Sequence, residues 1–234
     1  MQLLAPYAEL VAVGRKITDI WRDEIEIGLA SADIIEHGAT EHFRKILEQI
    51  ASGDESGIRS LIDGPVKRLM PESLTHCSNH DQNKLLIIGV YDWLRSSLTN
   101  STIKDLRNHT ADAMIAWLSS VDGVRFVFQG IQSRGTNTET ALQLAIAPSA
   151  MGGLVSGMAS MGLYWLAFGG LDAAKPEAAT NDLLDLEYAV LGTLSHSLLT
   201  NDKRLNVIHR AMRGGTEGRA RRFARTIDIG PENA

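Results

Sequence analysis

The stretch from Thr140 to Phe168 constrains the fold most, because it contains no charged side chain. It is long enough to cross a membrane as a single helix. Pro148 and the absence of basic flanking residues argue against a membrane span, whereas Gly153 and Gly157 have the GxxxG spacing that brings helices close together. We expect a buried helix inside a soluble fold, with a dimer face or a membrane span as the alternatives.

The composition is that of an ordinary globular protein of 234 residues, of which 44% are hydrophobic and 22% are charged. This length suits one large domain or two small ones, and the chain shows neither an internal repeat nor a convincing linker. We therefore expect a single domain over residues 1–234, with a helical N-terminal elaboration at about 17–119 and an Arg-rich C-terminal segment at about 210–225. The formal net charge of -5 argues against bulk electrostatic attraction to nucleic acid.

Cysteine usage and the first residues indicate the compartment. Cys77 is the only cysteine, so the sequence provides no intrachain disulfide and no Cys-rich zinc site. The opening residues "MQLLAPYAELVAVGRK" carry Glu9 and lack the basic region of a secretory signal. We expect a cytoplasmic protein.

Hydrophobic periodicity predicts many helices and a few strands. Apolar residues three and four apart predict helices from Ile17 to about Met70 and again from Asp182 to Leu194. The run "VRFVFQ" (124–129) predicts a strand, as do the shorter runs "SLLT" (197–200) and "TIDI" (226–229). A helix followed by a strand is typical of α/β folds.

Three aspartates lie at the two ends of the segment that is predicted to form a helix (Asp182 to Leu194) followed by a strand (197–200). Asp182 and Asp185 share one helical face, and the next residues of their column, Ala189 and Gly192, are too small to cover them. Asp202 follows the predicted strand, where open α/β sheets carry functional groups. Convergence of the three carboxylates would favour a bound Mg²⁺ or Mn²⁺, whose activated water suits phosphodiester hydrolysis. As the alternative, all three acids are helix caps and first-turn charges.

The run "GGLDAAKPEAATNDLLDLEYAVLGTLSHSLLTNDKRL" (169–205) resembles the C-terminal half of PIN-like domain proteins. This family of metal-dependent nucleases includes toxin–antitoxin ribonucleases. Its pattern has an Asp that opens a helix written D-x-x-Y, matched by Asp185 and Tyr188, and a Thr-x-Asp after the next strand, matched by Thr200 to Asp202. The resemblance implies a helix-rich α/β/α sandwich with a small, mainly parallel sheet and an acidic pocket for one or two Mg²⁺ or Mn²⁺ ions.

The resemblance also implies roles for single residues. Asp182, Asp185 and Asp202 would be the catalytic acids, and Asp185 and Asp202 would hold the metal. Thr200 and Asn201 would be supporting groups beside them.

One acidic position of the family pattern has no clear counterpart. The pattern begins with a strand that ends in Asp, and Ala5 stands near that point, with Glu9 as the nearest acid. Glu139 and Asp92 could each supply a further carboxylate, although capping or solvent exposure is the simpler role for both. An incomplete set of acids would leave the fold without the activity.

Six arginines lie between residues 210 and 225, against one glutamate, with Phe223 and three glycines among them. We predict a Gly-rich turn at 214–218 and an Arg-rich segment that binds phosphates and stacks on a base. The alternative is a solvated tail that balances an acidic protein. The predicted nucleic-acid contacts are Arg219, Arg221, Arg222 and Arg225.

The run "HCSNHD" places two histidines, Cys77 and Asp81 within six residues. His76 and His80 have the spacing of metal ligands on one helical face. The start of a helix, capped by Asp81 or its neighbours, is the simpler interpretation.

The sequence thus predicts a Mg²⁺- or Mn²⁺-dependent nuclease that hydrolyses phosphodiester bonds, with RNA favoured over DNA as the substrate. Its expected partners are RNA, an antitoxin-like or other protein that restrains it, and a second copy in a homodimer. A catalytically inactive PIN-like binding or interaction module is the first alternative, and a small membrane-associated helical protein is the second.

Overall fold

The computed structural model describes residues 12–31, 33–54, 80–169, 176–195, 198 and 200–228. Within these ranges the chain forms helices and no strand, and the extended pairing is confined to an isolated antiparallel bridge between Gly14 and Ile35. The ten helices of the described residues are α1 (Ile17–Ile27), α2 (His37–Ser52), α3 (His80–Ser97), α4 (Asn100–Asn108), α5 (Thr110–Leu118), α6 (Val121–Gln132), α7 (Thr138–Ile146), α8 (Ala150–Phe168), α9 (Pro176–Leu194) and α10 (Lys203–Asp228).

The predicted α/β/α sandwich with a parallel sheet is therefore wrong for the described residues. The clearest predicted strand, 124–129, lies inside α6. Ser120 caps this helix, because its Oγ accepts a hydrogen bond from the backbone N–H of Gly123 (3.2 Å). Gly123, Val127 and Ile131 are buried at intervals of four residues, so the apolar pattern has a helical period once it is followed beyond the six-residue run. Burial of this stripe outweighs the β propensity of valine and phenylalanine.

The two shorter strand predictions have different outcomes. Residues 226–228 of "TIDI" belong to the end of α10, so a strand is wrong there, and Ile229 lies outside the described residues. In "SLLT", Leu198 and Thr200 are described and belong to no helix or strand. The other two residues of that run lie outside the described part of the chain.

Backbone contacts divide the chain into two compact units, Met1–Lys16 with Asp33–His80 and Ile17–Ala32 with Asp81–Ala234. In the first unit, the backbone N–H of Val13 donates to Thr40 Oγ1 of α2 (2.9 Å), and the N–H of Glu36 donates to the Val13 carbonyl (2.8 Å). The sites described below all lie in the second unit.

Helix α8 forms the core of the second unit. Fifteen of its 19 residues are buried, and α1, α4 to α7, α9 and α10 pack around it. Among the described helices it alone is long and apolar enough to cross a membrane, and most of it is covered by its neighbours. Small residues permit this packing, because a Cβ on Gly153 would lie 3.1 Å from Val190 Cγ1 and a Cβ on Gly157 would collide with Leu186 Cδ1.

A carboxylate from α1 binds the N-terminus of α8. Glu24 Oε1 accepts from the N–H of Ala150 (2.7 Å), Glu24 Oε2 accepts from the N–H of Met151 (2.9 Å), and Ser149 Oγ accepts from the N–H of Gly152 (2.9 Å). Burial raises the pKa of Glu24, while its backbone hydrogen bonds act in the opposite direction. Hydrogen bonds to a charged group contribute about 1.5–3 kcal/mol each. This contact therefore attaches α1 to the core.

The predicted Gly-rich turn at 214–218 is wrong, because these residues form the middle of α10. A Cβ on Gly215 would lie 2.7 Å from Leu118 Cβ, and a Cβ on Gly218 would collide with Ser119 Oγ. Glycine weakens a helix by about 0.5–1 kcal/mol relative to alanine. The close approach of α10 to α5 requires it at these positions, so tertiary packing overrides the local preference.

Candidate functional site

The structure brings the three predicted carboxylates together and places an arginine between them. Asp182 and Asp185 lie on α9, and Asp202 immediately precedes α10. Arg204 Nη1 lies 2.5 Å from Asp182 Oδ1, and Arg204 Nη2 lies 3.3 Å from Asp185 Oδ2 and 4.0 Å from Asp202 Oδ2. One guanidinium therefore interacts with all three acids. We call these four residues the acid cluster.

Asp202 determines how α10 begins. Its Oδ1 accepts hydrogen bonds from the backbone N–H groups of Arg204 (2.7 Å) and Leu205 (3.1 Å), as the N-cap residue of a helix does. Thr200 Oγ1 accepts from the N–H of Asp202 (3.1 Å), so this threonine supports the turn before the helix. Asn201 is exposed in the same turn. Local backbone hydrogen bonds thus account for Asp202 and Thr200.

Asp182 is the buried member of the acid cluster. Helix α9 begins at Pro176, so Asp182 lies inside the helix and does not cap it, and 3% of its surface is exposed. Burial raises its pKa, the nearby Arg204 acts in the opposite direction, and repulsion from Asp185 and Asp202 adds to the increase. A buried carboxylate without its cation would be strongly destabilising. Arg204 is therefore the residue that makes an ionised Asp182 tolerable.

The acid cluster does not fit the expected Mg²⁺ or Mn²⁺ site in this arrangement. A divalent cation requires carboxylate oxygens that are available to coordinate it, whereas one oxygen of each aspartate faces the same guanidinium. No group of three or more His, Cys, Asp or Glu side chains among the described residues could hold a metal ion. The role of Arg204 was not predicted from the sequence, although its position two residues after Asp202 placed it close to one of the candidate acids.

The other candidate acids and ligands are not part of this cluster. Glu139 is exposed in the first turn of α7, and Asp92 is exposed on α3. Four further candidates lie outside the described residues, namely Ala5, Glu9, His76 and Cys77.

Among the arginines predicted to bind nucleic acid, Arg219 is buried, with 1% of its surface exposed. Its guanidinium donates hydrogen bonds to the Ala145 carbonyl (2.6 Å), Ser156 Oγ (2.9 Å) and Thr216 Oγ1 (3.0 Å). Burial lowers the pKa of Arg219 to about 10, so the side chain is still protonated at neutral pH. Arg219 thus joins α7, α8 and α10 inside the fold and is inaccessible to a nucleic acid in this conformation.

The other three arginines of that set, Arg221, Arg222 and Arg225, are exposed on α10. Arg221 lies 3.9 Å from a carboxylate oxygen of Glu217, and Arg222 Nε donates to the backbone carbonyl of Ser119 (2.8 Å), just after α5. The three exposed arginines form a positively charged surface on the C-terminal half of α10, which we call the basic face.

A second candidate site, which was not predicted from the sequence, is a pocket of about 330 Å³. This volume lies at the lower end of the range for ligand sites, roughly 300–1,000 Å³. We call it the aromatic pocket. It is lined by residues of α3, of the connection to α4, of the first turn of α4, and of α5 and α6, namely Trp93, Ser97, Leu98, Thr99, Thr102, Trp117, Asp122 and Arg125.

Three aromatic side chains, which we call the platform, contact one another at this pocket: Trp93 and Trp117 line it, and Phe126 packs against both, with ring planes inclined at 42° to 71°. The ring centroids of Trp93 and Phe126 lie 4.9 Å apart, those of Trp117 and Phe126 lie 6.0 Å apart, and those of the two tryptophans lie 6.4 Å apart. Such contacts contribute about 0.5–1.5 kcal/mol per pair beyond burial. Trp117 is buried, whereas 40% of the Trp93 surface is exposed. The contacts therefore hold an accessible indole in a defined orientation.

Polar groups surround the aromatic pocket because helices begin there. Thr99 caps α4 by accepting from the N–H of Thr102 (3.2 Å), and Ser120 caps α6. Asp122 and Arg125 follow on α6, one turn apart, and neither forms an ion pair with another described residue. Within the described part of the chain, a carboxylate and a guanidinium without ion-pair partners thus lie beside an exposed aromatic surface.

The aromatic pocket was not predicted from the sequence because its residues come from four separate helices and from the connection between α3 and α4. Each aromatic residue, taken alone, is typical of a helix that packs on a core. The available signal was weak, a capped helix start followed by Asp122 and Arg125.

Comparison of this chain with protein-family models, with curated proteins and with solved structures found no match.

Proposed function

We propose that the protein is a binding module that takes one base of single-stranded RNA into the aromatic pocket. The observation that carries this proposal is the platform of Trp93, Trp117 and Phe126 beside a pocket of about 330 Å³. A planar base stacks on an aromatic side chain with about 1–3 kcal/mol, and it does so for any sequence.

Positive charge near the aromatic pocket supports an anionic polymer as the ligand. Arg125 lines the pocket, and Arg222 donates to the carbonyl of Ser119, two residues after Trp117. Arg225 continues the basic face three residues further along α10. The net charge of -5 does not oppose such local contacts, because salt screens electrostatic interactions beyond about 8–10 Å.

The test is fluorescence anisotropy of a labelled single-stranded RNA at constant, near-physiological salt, since affinity for nucleic acid depends on the salt concentration. Trp93→Ala should weaken binding roughly 5- to 150-fold, which corresponds to the loss of one base-stacking contact. Tyr188→Ala is the matched control, because Tyr188 is an aromatic residue with 63% of its surface exposed and lies outside the pocket. Failure of the wild type to bind, or equal affinity of the wild type and Trp93→Ala, would overturn the proposal.

A metal-dependent nuclease is the second candidate, because three carboxylates converge in the acid cluster. Arg204 weighs against it, since a divalent cation would compete with the guanidinium for the same oxygens. Calorimetric titration with Mn²⁺, together with an RNA cleavage assay, decides the matter. The nuclease requires binding and cleavage by the wild type and loss of both in Asp185→Asn/Asp202→Asn. If Arg204→Gln binds Mn²⁺ and the wild type does not, the acid cluster is instead an ion-pair cluster in which Arg204 prevents the metal from binding.

A further inference from the structure

We propose that the aromatic pocket selects guanine over the other bases. This inference rests on the proposed function, because it specifies which base the platform holds. The residues that carry it are Asp122 and Arg125, which line the pocket beside Trp93 and Trp117.

Asp122 and Arg125 restrict the edge of the ligand that can face them. An ionised carboxylate only accepts hydrogen bonds, and a guanidinium only donates them. The two side chains are three residues apart on α6, so they lie on one face with about 5–6 Å between their Cβ atoms. This spacing matches the width of one edge of a base. The ligand must therefore present donors to Asp122 and, on the same edge, an acceptor to Arg125.

Guanine alone among the four bases presents two adjacent donors on this edge. Its N1–H and N2–H groups are parallel, so they can donate to the two oxygens of one carboxylate. Its O6 acceptor lies next to N1–H on the same edge. Adenine and cytosine present one exocyclic amine beside a ring nitrogen that repels a carboxylate, and uracil presents one N–H between two carbonyls. Paired hydrogen bonds to a charged partner are stronger and more specific than single neutral ones.

The hydroxyl groups of the aromatic pocket do not decide between bases. A hydroxyl both donates and accepts, and all three of them already have local partners, since Thr102 Oγ1 lies 2.9 Å from Thr99 Oγ1. Ser97 Oγ donates to the Trp93 carbonyl (2.8 Å), and Thr99 Oγ1 accepts from the N–H of Thr102 (3.2 Å). The preference for a base therefore follows from Asp122 and Arg125.

The test is a titration of the full chain with nucleoside 5′-monophosphates, monitored by tryptophan fluorescence. Guanosine monophosphate should bind about tenfold or more tightly than the adenosine, cytidine and uridine nucleotides. Inosine monophosphate lacks the exocyclic amine, and it should bind about tenfold more weakly than guanosine monophosphate.

Asp122→Asn provides the specificity test. An amide can donate to the C2 carbonyl of xanthine while it accepts from N1–H, so the variant should lose the preference for guanosine monophosphate and favour xanthosine monophosphate. Glu139→Gln is the matched control, because Glu139 is also an exposed acid in the first turn of a helix, α7, and lies outside the pocket. It should retain the wild-type preference.

The outcomes separate this inference from the proposed function. Equal affinity for all four nucleotides, with binding still weakened by Trp93→Ala, would overturn the choice of guanine and leave the binding module intact. Absence of binding to every nucleotide and to RNA would overturn both. An unchanged preference of Asp122→Asn for guanosine monophosphate would show that Asp122 does not determine which base binds.

Discussion

The acid cluster and the aromatic pocket contain similar charged groups, but the cluster satisfies them within the fold. Its three aspartates all face Arg204, and one of them, Asp182, is buried. In the aromatic pocket, Asp122 and Arg125 line open space without an ion-pair partner among the described residues. Converging charge therefore does not by itself define a ligand site. The hydrogen-bonding capacity that is left after folding is the better guide.

This difference gives the two regions different physical roles. A buried charge that loses its partner destabilises the fold strongly, whereas an exposed charge without a partner contributes little to stability. Substitutions in the acid cluster should therefore change the free energy of unfolding, and substitutions at the rim of the aromatic pocket should change binding.

Removal of the shared arginine should have the largest effect on stability. Arg204→Ala leaves Asp182 buried without its cation, so we expect the free energy of unfolding to fall by about 3 kcal/mol. Urea denaturation at pH 7 measures this change. The control is Arg210→Ala, because Arg210 forms an exposed pair with Asp112 and should cost about 0.5 kcal/mol. Equal losses in the two variants would show that the acid cluster is an ordinary surface ion pair.

The pH dependence of stability should distinguish Asp182. Its pKa in the folded protein is raised above the ordinary value of 3.8, so the folded state holds its proton to higher pH than the unfolded state. The stabilisation that protonated Asp182 contributes is fully present below pH 3.8. It is lost as the pH rises through the pKa that Asp182 has in the folded protein. Urea denaturation at a series of pH values should therefore show Asp182→Asn gaining stability relative to the wild type as the pH rises in this window. A difference that is constant with pH, or that changes in the opposite direction, would contradict this assignment.

A change in the aromatic pocket should have the smallest effect on stability. Asp122→Asn removes a favourable charge from the first turn of α6, which costs about 0.3–1 kcal/mol. The same substitution should abolish the preference for guanosine monophosphate. Thermal unfolding and nucleotide titration of one preparation measure the two effects together. A large loss of stability would mean that Asp122 supports the fold, and the contrast between the two regions would then fail.

Part of the fold could be predicted from local patterns. Helical periodicity predicted α1, α2 and the body of α9, and the buried helix expected in the uncharged stretch corresponds to α8. The α/β fold class was wrong because it depended on runs of four to six residues, such as 124–129. In a run this short, a strand and one face of a helix present the same apolar side chains, and the burial of Gly123, Val127 and Ile131 decides between them.

The candidate site was predicted in part. Spacing indicated that the three aspartates could converge, and they do, but nothing in the local pattern indicated that Arg204 would lie among them. The same limit applies to Arg219, which resembles its exposed neighbours Arg221 and Arg222 in sequence and is nevertheless buried. Its burial depends on Ala145 and Ser156, more than 60 residues away in the chain.

The sequence by itself determined the helices α1, α2 and the body of α9 and the stretch that is apolar enough to lie at the centre, because these properties depend on residues within a few helical turns. The tertiary structure alone decided the partners of the charged groups. It placed Arg204 among the aspartates, enclosed Arg219, and left Asp122 and Arg125 beside an open aromatic surface. The physical reason is that the energy of a charge depends on its distance from other charges and on its burial, and both quantities are set by helices that are far apart in the chain.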